Sequence, residues 1–323
     1  MTAIVGVHGI GKYHYYEEAG MSASAAAEAL RGKWNRYLHG GLNGLNGLNG
    51  LNGLNGLNGL NGLNGLNGLT GLTGLNGRND RSAGSGEDYV TAVAYYAHHL
   101  GEPGRPGAVP ARGGRVERAM DAEAQRVFFH WATQLEGIKE TAGESLTGAL
   151  RRATEWLLER LEERAVSFAT MFCPEVAAYL ESAGSPARVR CREAVAEAIR
   201  RHNPQVVIAH SLGSVVAYET LHAYPELNVD LLITLGSPLG MRNVVFERLM
   251  PAPAGGWGIR PGGVKRWVNI ADKDDIAAIP PTLRGCFNGV DHDGLVNLDW
   301  IDFHSVRRYL GSGALNPFLT PYL

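Results

Sequence analysis

The chain has 323 residues, of which 45% are hydrophobic and 19% are charged, and its formal net charge is −2. This length and this apolar content are enough to bury a full α/β core, so the composition excludes a disordered or fibrous chain. Acidic and basic residues are interleaved, as between residues 151 and 164, and no basic patch of the kind that binds nucleic acid is present. We therefore expect no nucleic-acid partner.

The cysteines and the amino-terminal residues indicate a cytoplasmic protein. Cys173, Cys191 and Cys286 are odd in number, widely spaced and in no metal-ligand pattern, which is typical of free thiols in a reducing compartment. The first residues contain no basic segment followed by a long apolar one, so we expect no signal peptide. We also expect no transmembrane helix, because no run of about 18 apolar residues occurs.

The first predicted elements are a strand at residues 3–7 and an alanine-rich helix at residues 22–37. Twelve consecutive Leu-Asn-Gly triplets follow at residues 42–77, two of them with threonine in place of asparagine. A period of three matches neither a helix nor a strand, and glycine and asparagine both disfavour helix. We predict an expanded surface loop over residues 40–87. A left-handed extended chain, whose leucines line one edge and bind a partner, is the alternative.

Strands and helices then alternate along the rest of the chain. Between residues 115 and 182, apolar residues recur at spacings of three and four, which predicts a helical insertion that either packs on the core or forms a cap. The remaining predicted elements are a strand at 88–97, a helix at 187–201, and strands at 205–209, 229–235, 264–270 and 289–298. This order predicts one α/β domain over residues 1–323, with a mostly parallel sheet of about six strands covered by helices.

Residues 205–217 have the pattern of a nucleophile elbow. A β-branched run meets a helix-forming run at a single serine, Ser211, with Gly213 on its helix side. A strand, a tight turn and a helix in this order hold a serine hydroxyl clear of both flanking elements. Ala209 stands where glycine is usual, so one extra methyl group has to fit between the strand and the helix. We predict that Ser211 is a catalytic nucleophile.

Three carboxylates at the end of a later strand are candidates for the acid that orients the catalytic base. The segment from 271 to 277, taken with the elbow, resembles the α/β-hydrolase superfamily and its bacterial lipases and esterases. Their acid loop commonly has a small residue, two polar residues, aspartate, any residue and two aliphatic residues. That pattern selects Asp274, and Asp272 and Asp275 are the alternatives. The Gly-Ser-Pro turn at 236–238 supports the same resemblance, which covers roughly residues 1–38, 88–100 and 187–310.

The expected base is His304, since the resemblance places a histidine on a loop after the last strand. His292 is the competitor, but it lies inside a predicted strand. The resemblance also implies an oxyanion hole formed by two backbone N–H groups, those of Leu212 in the elbow and Ile10 in the His-Gly loop after the first strand.

The expected function is a serine hydrolase that cleaves carboxylic esters, with lipid-like esters favoured, through Ser211, His304 and Asp274 and an acyl-enzyme intermediate. No metal or organic cofactor is expected. A thioesterase or a peptidase would use the same three residues. The alternative from another class is a non-catalytic scaffold that binds partners through the repeat or the cap.

Overall fold

A computed structural model of the protein describes residues 2–49, 89–101, 120–135, 145–298 and 304–323. Six strands in these ranges form the main sheet: β1 (Ile4–Val7), β2 (Ala92–Ala94), β3 (Val206–His210), β4 (Val229–Leu235), β6 (Val264–Asp272) and β8 (His292–Val296). Their order is β2-β1-β3-β4-β6-β8, and each neighbouring pair is parallel. Two short strands, β5 (Gly258–Ile259) and β7 (Phe287–Asn288), pair separately.

Helices cover both faces of the sheet. Val207 and Ala209 of β3 face the layer that contains α3 (Ala122–Ala132), α4 (Leu146–Tyr179), α5 (Pro186–His202) and α6 (Leu212–Ala223). Val206 and Ile208 face the opposite layer, which contains α1 (Tyr13–Glu18), α2 (Ala23–Asn49), α7 (Val306–Gly311) and α8 (Asn316–Leu319). Successive side chains of a strand point to opposite faces, so both faces of this buried strand are apolar. The predicted α/β fold with a parallel sheet is confirmed.

The repeat tract begins differently from the prediction. Helix α2 continues through Asn49 and therefore includes the first triplets, which we expected to lie in a loop. The reason is that Leu30, Trp34 and Leu38 anchor this helix in the core, and extending an existing helix costs much less than nucleating one. The rest of the tract, residues 50–77, lies outside the described residues, as do residues 115–119 and 136–144 of the predicted insertion.

The chain changes direction across the sheet at β1. From β1 it passes to β2 on one side, then to β3 on the other side, and it continues outward through β4, β6 and β8. In open α/β sheets, ligands bind beyond the carboxyl ends of the strands at such a switch point. Val7 pairs with Ala209 in the register of β1 and β3, so the segments that follow these two strands lie side by side.

Within the described part of the chain, no helix has both the length and the apolar character needed to cross a membrane.

Candidate active site at the carboxyl ends of the strands

Ser211 forms the sharp turn between β3 and α6. Its backbone has φ 55° and ψ −133°, a combination that residues other than glycine rarely adopt. Strain of this kind is expected of an elbow that holds its side chain out of both flanking elements. The local geometry of Ser211 is therefore that of the predicted nucleophile.

Small residues on both sides of Ser211 make this turn possible. A methyl group on Gly213 would collide with the backbone oxygen atoms of Val7 and His8, so the start of α6 needs glycine there. Ala209 is fully buried between Val7 and Thr234 in the sheet. Its methyl group is accommodated in the core, so the departure from the usual glycine leaves the elbow intact.

The side chain of His304 lies against that of Ser211. Its Nε2 atom is 2.7 Å from Ser211 Oγ, and its Nδ1 atom is 2.9 Å from both carboxylate oxygens of Asp275. Because a carboxylate only accepts hydrogen bonds, Nδ1 carries the proton in this arrangement and Nε2 is the acceptor for the serine hydroxyl. The three residues form one continuous hydrogen-bonded chain from the nucleophile to the acid.

The carboxylate that is hydrogen-bonded to His304 belongs to Asp275, and this corrects the prediction of Asp274. After β6 the chain makes a turn in which the Asp275 N–H donates to the Asp272 carbonyl oxygen. Lys273 and Asp274 occupy the two central positions of the turn, so their side chains project toward solvent, where they lie 3.7 Å apart. Asp275 returns to the end of the sheet and is buried.

Asp272 has a structural role in the same loop. It is buried, and its two carboxylate oxygens accept hydrogen bonds from the N–H groups of Asp274, at 2.9 Å, and Leu298, at 2.6 Å. It therefore holds the acid turn together and does not contact the histidine.

Two other candidate residues do not take part in the hydrogen-bonded chain that contains His304. His292 is exposed on β8, and its ring packs against Phe318 at 4.9 Å. Ser237 is buried in the Gly-Ser-Pro turn with its hydroxyl 2.6 Å from that of Ser214. The glycine of the same turn, Gly236, provides space for the acid, since a Cβ atom there would lie 2.6 Å from Asp275 Oδ2.

The loop after β1 borders Ser211 directly. A Cβ atom on Gly9 would lie only 2.6 Å from the Cβ atom of Ser211, so glycine allows this close approach. Ile10 follows in this loop, and Leu212 begins α6 directly after the serine. Among the described residues, neither the Ile10 nor the Leu212 backbone N–H has a hydrogen-bond partner. Two free donors beside the nucleophile fit the expected oxyanion hole.

His8 holds this loop in place. Its Nδ1–H donates to the Gly9 carbonyl oxygen at 2.8 Å, and its Nε2 accepts the Tyr96 backbone N–H at 3.1 Å. The Tyr96 ring stacks on the imidazole, and the Tyr96 hydroxyl donates to the His8 carbonyl oxygen at 2.6 Å. Burial lowers the pKa of His8 to about 3, so the ring is neutral and keeps one donor and one acceptor.

The helical insertion contributes an apolar wall beside the triad. The ring of Phe168 in α4 lies 5.1 Å from the His304 ring and also packs against Trp131 of α3. The Trp131 Nε1–H donates to the Ile276 carbonyl oxygen at 2.7 Å, which ties α3 to the segment just after the acid. Helix α4 therefore packs on the core and also contacts the site through Phe168, and a cap function of the insertion stays a prediction.

Two polar residues near the site were missed by sequence reasoning. Tyr309 of α7 donates a hydrogen bond to Asp275, and Glu175 of α4 accepts one from Gly11. Glu175 interrupts an otherwise apolar helix face, which is a signal that the sequence does carry. Tyr309 has no such signal, because a tyrosine on an amphipathic helix is ordinary in a core.

Comparison of the chain with protein-family models, with curated proteins and with solved structures finds no match. The described residues contain no cluster of three or more histidine, cysteine, aspartate or glutamate side chains arranged to hold a metal ion.

Proposed function

We propose that the protein is a serine hydrolase of the α/β-hydrolase type that cleaves carboxylic esters. The observation that carries this proposal is the unbroken hydrogen-bonded chain from Ser211 through His304 to Asp275, located at the switch point of a parallel sheet. A buried serine with a strained backbone and a directly bonded histidine is the arrangement that activates a weak hydroxyl nucleophile.

In the first half-reaction, Ser211 Oγ attacks the ester carbonyl carbon and its proton passes to His304 Nε2. Asp275 keeps the imidazole in the correct tautomer and stabilises the positive charge that develops on it. The carbon–oxygen bond to the alcohol then breaks, and His304 returns the proton to the departing alkoxide. In the second half-reaction, the same histidine takes a proton from water as the water oxygen attacks the acyl carbonyl carbon. The bond from that carbon to Ser211 Oγ then breaks, and His304 returns the proton to Oγ, which releases the carboxylic acid.

The negative charge on the carbonyl oxygen is stabilised by the N–H groups of Ile10 and Leu212. Their contribution depends on being oriented before the reaction, since donors that are already fixed need no reorganisation when the charge appears. The contacts of His8 with Gly9 and Tyr96 supply that rigidity on the Ile10 side.

The favoured substrates are esters with an apolar acyl group. This step is supported by the side chains of α3 and α4 that line the histidine side of the site, chiefly Phe168, with Met171 partly exposed beside Gly11. Apolar walls of this kind bury the acyl part of a substrate while the polar groups fix its carbonyl.

Hydrolysis of 4-nitrophenyl esters with acyl chains of increasing length tests the proposal. The expected result is turnover that increases with chain length over the short acyl groups, and Ser211→Ala should abolish it. A matched thioester and a matched anilide separate the esterase from a thioesterase or a peptidase. A pure scaffold would hydrolyse none of these compounds and would not distinguish wild type from Ser211→Ala.

A reducing compartment such as the cytoplasm is part of the proposal. Its support is that Cys173, Cys191 and Cys286 are all free and buried, so none of them depends on an oxidising environment.

A further inference from the structure

Glu175 is a buried carboxylate outside the triad. It lies on α4 with a side chain that is 4% exposed, between the core residues Phe172 and Tyr179 on the same helix. A carboxylate in such a place loses its hydration, and it is retained only where a specific partner compensates. The residue therefore needs an explanation that packing does not give.

The direct partner of Glu175 is the loop after β1. Its Oε1 atom accepts the backbone N–H of Gly11 at a distance of 2.8 Å. This N–H belongs to the peptide group that joins Ile10 to Gly11, so the hydrogen bond fixes the backbone immediately after the Ile10 N–H. Gly11 has φ 70°, a left-handed conformation that glycine adopts without strain.

Neighbouring residues of α4 contact the same site. Met171 lies one turn before Glu175, and its Sδ atom is 3.4 Å from where a Cβ atom of Gly11 would lie. Phe168 lies a further turn away and packs edge-on against His304. Residues at this spacing share one helix face, so a single face of α4 contacts both the oxyanion loop and the base.

We propose that Glu175 is a positioning residue that orients the oxyanion loop through its hydrogen bond to Gly11. This inference rests on the proposed function. Glu175 does not contact the reacting atoms, and it acts through the backbone of Ile10, whose N–H it holds toward the substrate carbonyl. A hydrogen bond to an ionised acceptor is roughly twice as strong as one to a neutral acceptor, so the charge of Glu175 determines how firmly the loop is held.

The surroundings of Glu175 make this charge sensitive to pH. Burial raises the pKa of Glu175 to about 7, while the Gly11 N–H and the positive charge of Lys12 oppose that rise. Tyr95, Tyr96 and Cys191 are the other titratable groups that interact with this carboxylate. Burial also raises the pKa of each of these three groups, so they stay neutral near pH 7. Lys12 interacts with Glu175 as a cation, and burial lowers the pKa of Lys12 while Glu175 opposes that change.

The test compares Glu175→Gln and Glu175→Leu with wild type, using kcat and KM for one ester across neutral pH. Glu175→Gln keeps an acceptor oxygen but cannot titrate. In wild type, we expect kcat to increase three- to tenfold as the pH rises through about 7. In Glu175→Gln, we expect this increase to be absent. Glu175→Leu removes the acceptor and should lower kcat by about tenfold or more with little change in KM. Glu155→Gln, an exposed glutamate on the same helix, is the matched control.

Wild-type kcat and an unchanged pH profile in Glu175→Gln would overturn the inference, whether or not Glu175→Leu folds. Failure of the proposed function gives a different result, because wild type itself would then neither hydrolyse esters nor react with a fluorophosphonate. A purely structural role predicts lower melting temperatures with the pH profile retained.

Discussion

The Tyr309 hydroxyl donates a hydrogen bond to Asp275 Oδ2 at 2.7 Å and accepts one from the Asp272 backbone N–H at 2.8 Å. Tyr309 thus joins α7 to both ends of the turn that carries the acid. Burial and the charge of Asp275 raise the pKa of Tyr309, so its hydroxyl remains a donor. The carboxylate of Asp275 is held from one side by this hydroxyl and from the other by His304.

Replacing Tyr309 with phenylalanine should therefore lower kcat/KM by about tenfold, because Asp275 loses a donor that orients it. The ring keeps its packing, so the melting temperature should fall only slightly. Tyr322→Phe, near the carboxyl terminus, is the matched control. An unchanged kcat/KM in Tyr309→Phe would show that His304 and the Ala277 N–H, which donates to Asp275 Oδ1 at 2.9 Å, hold the acid without Tyr309.

The two neighbouring aspartates should respond very differently to the same change. Asp275→Asn should reduce kcat by several orders of magnitude, since the amide no longer stabilises the charged imidazole, and losses of about 10⁴ occur for this substitution in serine proteases. Asp274→Asn should change kcat by less than about twofold, because its side chain is exposed and lies near Lys273. Equal effects of the two substitutions would contradict the assignment of Asp275.

The contrast between these aspartates shows what the sequence could predict. Strand and helix patterns predicted the parallel sheet, the elbow motif selected Ser211, and the resemblance selected His304, whose Nε2 atom lies 2.7 Å from Ser211 Oγ. The choice among three nearby carboxylates depends on which turn positions face solvent, and a pattern shifted by one residue gives the wrong aspartate. The contacts made by Tyr309 and Glu175 join elements that are distant in the chain, so no local pattern contains them.

Gly9 should not tolerate a side chain. In Gly9→Ala the new methyl group would lie 2.6 Å from the Ser211 Cβ atom, so the oxyanion loop and the elbow must separate. We expect a loss of about 100-fold in kcat, which is what removing one oxyanion donor costs. Gly32→Ala, in the open middle of α2, is the control and should leave kcat unchanged. Wild-type kcat in Gly9→Ala would show that the loop has space to move.

The buried Glu175 should also affect the pH dependence of stability. Its pKa is raised from 4.5 to about 7, so the folded protein binds this proton more tightly than the unfolded chain does. The resulting stability is fully present below about pH 4.5 and is lost as the pH rises through about 7.

Denaturant unfolding of wild type and Glu175→Gln at several pH values measures this effect. The quantity compared is the free energy of unfolding of Glu175→Gln minus that of wild type. This difference should be up to about 3 kcal/mol larger above pH 7 than at acid pH. His8, whose pKa is lowered, acts in the opposite direction, but it is present in both proteins and cancels in the comparison. A difference between the two proteins that does not vary with pH would contradict the raised pKa.

Breaking the buried ion pair between α5 and α6 should destabilise the protein strongly. Arg188 and Glu219 are both buried and directly bonded, and Glu219 also accepts hydrogen bonds from the Tyr179 hydroxyl at 2.8 Å and the Met250 N–H at 3.1 Å. Glu219→Ala leaves Arg188 charged and without its carboxylate, which should lower the free energy of unfolding by about 3–5 kcal/mol.

The exposed pair of Arg201 and Glu197 on α5 provides the comparison for this substitution. Glu197→Ala should lower the free energy of unfolding by less than about 1 kcal/mol, because water already screens that pair. Urea unfolding measures both effects. Similar losses of the free energy of unfolding in Glu219→Ala and Glu197→Ala would show that removing a carboxylate from the buried pair costs no more than removing one from the exposed pair.

The most direct test of Ser211 as an activated nucleophile is the reaction of the purified protein with a fluorophosphonate, followed by mass spectrometry of its peptides. We expect a single adduct on Ser211 that is absent in Ser211→Ala and forms far more slowly in His304→Ala, while Asp274→Asn reacts at the wild-type rate. An adduct on another residue, or a folded wild type that does not react, would contradict the assignment of Ser211 as an activated nucleophile.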